Sequence, residues 1–400
     1  MKKFYNLDPL TYKITDVLYT DSQYVDKLFG FLVSSIEPPY SLSINGSWGS
    51  GKTMLMQELK KQFEGNQYPV LWFNPWEYER TEDIVFSFLV SLNTFAKSHL
   101  ADALKEIGIF GFSFLLSGLD LTARLLTKGA LSYKGTKEIC NEVTEAFKSR
   151  YDTENPAEII KKDFADLTQA LAKKHDQKPL IVFFDDLDRC LPEKALDLLE
   201  ALKNLFVVPN ASVIFISGID TQVAKQFIIS RYEGLESDFA YNYFKKVFNF
   251  TVNLPALTEN NFKRLIENRL NELLESDGSI WPLSETEKDD LLLYLSKLLV
   301  DAGVKSIRQA YNIIHNCFFT LYMNPELKAK HKEYIILFTI KECNTDFFEK
   351  CFKLANKKPD GRFFAEIQSL EQKQTPFLST LLEKLKELNG DLRNRVLLDI

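Results

Sequence analysis

Eight consecutive residues, Gly46-Ser47-Trp48-Gly49-Ser50-Gly51-Lys52-Thr53, carry the spacing G-x-x-x-x-G-K-[ST]. Glycines at these positions let the backbone turn its N–H groups inward around an anion. A helix beginning directly afterwards would add the partial positive charge of its amino end. In that frame Lys52 is placed to reach the β- and γ-phosphates of a nucleoside triphosphate, and the Thr53 hydroxyl is placed to ligate Mg²⁺. An ordinary glycine-rich turn is the competing reading, and the strand pattern before the loop and helix pattern after it weigh against that.

A phosphate loop leaves its metal half-held, so a carboxylate is needed at the carboxyl end of a neighbouring buried strand. The string Leu180-Ile-Val-Phe-Phe184 followed by Asp185 and Asp186 supplies one. Two adjacent acids are costly to keep ionised unless a cation is close by. Asp185 is therefore assigned to the metal, directly or through water, and Asp186 to orienting and polarising an attacking water, with the division between the two left open. Asp188 and Arg189 complete the string. Arg189 has two readings of equal standing: stabilising charge on the transferred phosphoryl group, or pairing with a carboxylate. Ser217 is a candidate γ-phosphate sensor or a satisfied turn serine, and Asp220 could cap the next helix. Arg308, in Lys305-Ser-Ile-Arg308, could swing onto the γ-phosphate, against the plainer role of a solvated helix face. Trp72, Trp76 and Tyr78 read as core aromatics before they read as a stacking platform. The four histidines, His99, His175, His315 and His331, show no ligand spacing, so no structural metal is expected.

The elements that must position these residues are legible in outline. Ser41–Asn45 is a short β-rich run, and Lys52–Phe63 has helical apolar spacing at Leu55, Met56, Leu59 and Phe63. Val70–Asn74, Leu180–Phe184 and Ser212–Ile219 read as further buried strands, and Pro192 opens a helix through Leu205. Strands alternating with helices predict an α/β P-loop NTPase fold with a parallel β-sheet core. A helical insertion is expected at about 81–175, with Pro156 as a helix start, and a C-terminal α-helical lid region follows. The expected organisation is a core over 1–257, a helical lid over 258–325 holding Arg308, and a C-terminal helical region over 326–400.

Composition bounds the rest. Hydrophobic residues make up 45% and charged residues 26%, enough apolar content for a packed core. Lysine plus arginine number 49 against 55 acids, a formal charge of -6, so the overall field does not point to nucleic acid. Five scattered cysteines without a C-x-x-C pair argue against a disulfide framework or a zinc cluster and for a reducing cytoplasm. The start of the chain lacks the apolar run of a secretory signal. Ile107–Leu119 is thirteen residues without a charge. That is short of the roughly 20 that span a bilayer, so a packed helix is expected there and no membrane attachment.

Taken together, these residues resemble the KAP family of P-loop NTPases. The resemblance rests on the tryptophan-bearing loop Gly46–Thr53, on Phe73-Asn-Pro-Trp76 and on Phe184-Asp-Asp-Leu-Asp-Arg-Cys190. Tyr243-Phe-Lys-Lys-Val-Phe248 leading to Leu254-Pro255, and the Ile307-Arg308 helix, add to it. The resemblance spans roughly 16–325. It implies a core of the additional-strand P-loop division, a helical lid, ATP as the nucleotide, a sensor role for Arg308, and a place among prokaryotic proteins tied to phage exclusion and defence. Many relatives carry transmembrane helices between the loop and the acidic strand, where this chain has the short run at 107–119. The function expected is a magnesium-dependent ATPase acting as a conformational switch or assembly ATPase, with a protein partner or a second copy of itself. A nucleic-acid-dependent ATPase or sensor, a small-molecule phosphotransferase and a non-hydrolysing nucleotide scaffold are the alternatives.

Overall fold

The structure is a computed structural model and describes residues 23–81, 83–100, 156–232, 237–254, 258–276, 285–304, 306–323 and 331–343, with isolated positions up to 349. The run Ile107–Leu119, the loop residue Lys305 and everything beyond 349 lie outside the described residues. The chain divides into two compact units. A sheet unit comprises Ser22–Gly46 and Lys52–Leu254; a helical unit comprises Met1–Asp21, Ser47–Gly51 and Pro255–Ile400.

The sheet unit begins with α1 (Gln23–Ser34), β1 (Tyr40–Asn45), α2 (Lys52–Gly65) and β2 (Val70–Phe73), and continues through α3 (Ile84–Leu100) and α4 (Pro156–Lys174). Then come β3 (Leu180–Phe184), α5 (Pro192–Ala201), β4 (Val213–Ile219), α6 (Thr221–Arg231), α7 (Ser237–Val247) and β5 (Phe250–Asn253). The five strands form one sheet in the order β2-β3-β4-β1-β5, every pair parallel. Parallel strands need crossover helices, and those helices cover both faces, which is why β3 and β4 are buried at every position. On one face Phe184 and Phe215 meet Phe88 of α3, Phe164 of α4 and Phe206, with ring centroids 4.9–6.5 Å apart. On the other, Phe183 packs on Phe63 of α2 and stacks on Trp72. Successive β3 side chains thus serve opposite faces, as a pleated strand requires.

The strand bearing the acids is not the immediate neighbour of the strand bearing the loop, because β4 lies between them. This is the additional-strand arrangement. The strand register places Ser43 of β1, Ser217 of β4 and Phe184 of β3 in one row, so the three strands end close to level. The helix expected from Pro192 through Leu205 ends its α-helical part at Ala201 and widens into a π-turn over Leu202–Phe206, closed by Val207 N–H donating to the Leu202 carbonyl. β5 has no forecast in the sequence. It is a four-residue edge strand with only Val252 buried, tied to β1 by side chains: Ser43 to Thr251 at 2.7 Å, and Asn45 Nδ2 donating to Asn253 Oδ1 at 2.7 Å.

In the helical unit, α8 (Glu259–Ser276), α9 (Glu285–Asp301), α10 (Ile307–Met323) and α11 (His331–Cys343) pack on one another, and Phe262, Leu265, Leu295, Leu298, Ile313 and Ile335 are among their buried residues. Gly303, at φ +61°, ends α9, and Val304 N–H returns to the Leu299 carbonyl at 3.0 Å, the closure of a Schellman motif. Ser306 then caps α10 by accepting the Gln309 N–H at 3.1 Å. Among the described residues no helix is long and apolar enough to cross a membrane.

Candidate functional site

In the sheet unit the first turn of α2 presents Lys52 and Thr53. Lys52 is buried, its Nζ donating to the Gly46 carbonyl at 2.8 Å and pairing with Asp188 Oδ2 at 3.1 Å. The Thr53 hydroxyl donates to Asp185 Oδ1 at 3.0 Å. The residue that closes the phosphate loop and the first acid after β3 therefore touch, although they lie 132 positions apart in the chain.

Asp185 is buried, and its carboxyl is pushed up to about 7, first by burial and next by the negative charge of Asp186. The Thr53 hydroxyl and the Asp186 N–H, which donates to Asp185 Oδ1 at 3.0 Å, act against that rise. A carboxyl held this far up is one that a divalent cation would return to its charged form. The donor chemistry suits magnesium as well, since the Thr53 hydroxyl and the Asp185 carboxylate are oxygen ligands of the kind a hard cation takes, and they meet at 3.0 Å. Among the described residues no group of three or more His, Cys, Asp or Glu is arranged to hold a metal ion by itself. A metal at Thr53 and Asp185 would draw its remaining ligands from phosphate and water, as magnesium sites commonly do.

Asp186 adopts the left-handed conformation, φ 56°, which short polar residues tolerate, and this turns the chain sharply out of β3 into the single turn Leu187–Arg189. Its carboxylate pairs with Arg189 Nε at 2.9 Å. The same guanidinium lies 5.4 Å from the ring centre of the half-exposed Trp76, a cation–π contact. Of the two readings for Arg189, the conformation seen is the carboxylate pair. Trp76 itself is fixed because Asn74 accepts the Trp76 N–H at 3.1 Å and Pro75 opens the turn Pro75–Tyr78. Tyr78 stacks on Phe73, and Trp72 on Phe183. Glu79 accepts the Leu191 N–H at 2.7 Å, so the segment after β2 is bonded to the segment after β3. The Cys190 thiol is pushed up to about 12 by burial and by nearby Glu79, Asp186 and Asp188, which keeps it protonated at neutral pH.

At the end of β4, Ser217 is fully buried and its hydroxyl has no hydrogen-bond partner among the described residues. Gly218 follows, and a side chain there would displace its neighbours: a Cβ would lie 2.8 Å from Met56 Sδ and 3.3 Å from Asp185 Oδ1. Asp220 caps α6, accepting the Gln222 N–H at 2.9 Å. The functional contact that the motif alone did not disclose belongs to Asp188. Its Oδ2 takes both the Lys52 ammonium and the Asp220 N–H, the latter at 2.9 Å. The available signal was the third acid of Asp185-Asp-Leu-Asp188, one turn beyond the first.

The rest of the phosphate loop belongs to the helical unit. Gly49 and Gly51 have φ of +76° and +102°. Ser50 N–H donates to the Ser47 carbonyl at 3.1 Å, making a tight turn, and the Ser50 hydroxyl is buried without a hydrogen-bond partner among the described residues. Trp48 is 55% exposed, so this tryptophan is not a core residue. The Gly49 carbonyl accepts the N–H of Ile307, the first residue of α10, at 3.1 Å. Arg308 is exposed, and its Cβ lies 3.0 Å from where a Cβ on Gly49 would stand.

Among solved structures, Cdc6p from Pyrobaculum aerophilum is similar at 14% identity, over 94% of this chain and 88% of that one, with a TM-score of 0.42. The Aeropyrum pernix ORC2 protein, in ADPNP–ADP complexes, is similar at 12% identity over 92% and 85%, with a TM-score of 0.38. No curated protein matches the chain. The model of the KAP family P-loop domain matches residues 22–317, nearly three quarters of the sequence, and the chain belongs to that family.

Proposed function

We propose that this chain is a magnesium-dependent ATPase working as a conformational switch or assembly ATPase, in the antiphage setting that its family resemblance implies. One observation carries the enzymatic part: Lys52 and Thr53, at the start of α2, meet the acids that follow β3. In this reading the amides of Gly46–Gly51 wrap the polyphosphate of ATP, and Lys52 meets its β- and γ-phosphates. Magnesium held by Thr53 and Asp185 would neutralise charge on those phosphates. Asp186 orients and polarises the attacking water, and its carboxylate gives up Arg189 as that water binds. Arg189, once released, is free to face the charge developing on the transferred phosphoryl group. Arg308, at the start of α10, reads the γ-phosphate for the helical region at 258–325, and a protein partner or a second copy of the chain receives the change.

Calorimetry with ATP and Mg²⁺, alongside phosphate release, tests this. Lys52→Ala is expected to abolish nucleotide binding, and Asp186→Asn to retain ATP while slowing turnover at least about a hundredfold. Phosphate release untouched by both substitutions would end the reading.

A further inference from the structure

The ammonium that the proposed reaction assigns to the nucleotide already has an anionic partner from its own chain. Lys52 and Asp188 form an ion pair at 3.1 Å with side chains 8% and 1% exposed. Charges this deep are costly to leave alone: removing one member of a buried pair strands the other without solvent. The carboxylate is also fixed. It rides on a one-turn helix anchored by the fully buried Leu187, and the same Oδ2 accepts the Asp220 N–H at 2.9 Å, at the cap of α6. The Gly46 carbonyl, 2.8 Å from Lys52 Nζ, is a second acceptor for the ammonium at the start of α2.

We propose that Asp188 is a positioning residue, a stand-in for the polyphosphate: it holds the Lys52 ammonium in place without nucleotide and surrenders it, wholly or in part, when phosphate oxygens arrive. The proposal rests on the assignment of Lys52 to the β- and γ-phosphates. Two consequences follow from charge alone. Asp188 lowers the affinity for nucleotide, because one anion must be exchanged for another and the displaced carboxylate still faces the incoming phosphates. It also preserves the empty protein, because Lys52 is never left buried and unpaired.

Asp188→Asn tests both. The amide keeps the shape and one acceptor oxygen for Lys52 and Asp220, while it loses the charge and turns the other oxygen into an NH2 donor. Titration of the full chain with Mg²⁺-ATP, Mg²⁺-ADP and AMP should show the first two binding about tenfold tighter than in the wild type and AMP binding unchanged, since AMP lacks the phosphates Lys52 reaches. The nucleotide-free variant should melt lower, and ADP should raise its Tm by more than it raises the wild type's. A carboxylate with only a structural role would lower affinity together with Tm. ATP and ADP binding equal to or weaker than in the wild type, or an equal gain for AMP, would overturn the proposal while leaving the ATPase reading intact. Absence of ATP binding by the wild type would overturn both. Asp188→Ser, small enough to admit water to both donors, is read in the same titrations and should change affinity in the same direction if the asparagine variant does not fold.

Discussion

The sheet unit and the helical unit hold their shares of the phosphate loop in different ways. At the carboxyl ends of β1, β3 and β4 the contacts are between side chains and carry charge: Lys52 with Asp188, Thr53 with Asp185, Arg189 with Asp186. In the helical unit Ser47–Gly51 is held through the backbone, by the Gly49 carbonyl on the Ile307 N–H and by two glycines at positive φ. Side-chain contacts of the first kind depend on residue type and respond to charge. Those of the second kind depend on where the backbone runs and respond to bulk or to the loss of an N–H.

Breaking the charged side should have the largest effect. The Asp185 carboxyl is raised to about 7 in the folded protein from an ordinary 3.8, so between those pH values the folded chain binds more protons than the unfolded one. The stability this group contributes is complete below about pH 4 and is lost as pH rises through about 7. In metal-free and nucleotide-free urea denaturation, Asp185→Asn should therefore gain on the wild type by a few kcal/mol between about pH 4 and pH 8. A difference that stays flat with pH would mean that the carboxyl is not desolvated at the sheet end.

Gly49→Ala probes the backbone side. At φ +76° an alanine costs roughly 1 to 2 kcal/mol, and its Cβ would crowd Arg308 Cβ and Ser306 Oγ, at 3.0 and 3.1 Å. Gly30→Ala, on α1 with nothing within 4 Å of the added Cβ, should instead stabilise by up to about 1 kcal/mol. Thermal denaturation of the pair checks the sign of each, and two substitutions of equal effect would remove the special status of Gly49.

The smallest effect sharpens the comparison most. Proline is tolerated at the first position of a helix, so Ile307→Pro deletes the donor to Gly49 without breaking α10. It should cost about 1 kcal/mol more than Ile307→Val, which keeps the N–H and a similar volume. Equal unfolding midpoints for the two would show that the bond does not hold the loop.

Much of the fold was legible because buried parallel strands are written as unbroken apolar runs. Leu180–Phe184 is such a run and is a strand with those bounds. β5 was not legible, since one buried residue in four gives no pattern and its pairing is decided by β1 beside it. The π-turn at Leu202–Phe206 was equally hidden, because its apolar spacing continues that of α5 and only hydrogen bonding separates the two.

The residue types in Gly46–Thr53 and in Asp185–Arg189 determined by themselves that this chain carries a polyphosphate loop and an acidic strand end, because few other side chains supply that chemistry at that spacing. Which acid faces which base was decided only in three dimensions. Asp188, not Asp185 or Asp186, takes Lys52, because the left-handed turn at Asp186 carries the chain back over the end of β4, where the Asp220 N–H fixes the same oxygen. Spacing along a chain cannot encode such a meeting, since it depends on β4 standing between the two strands that contribute the charges.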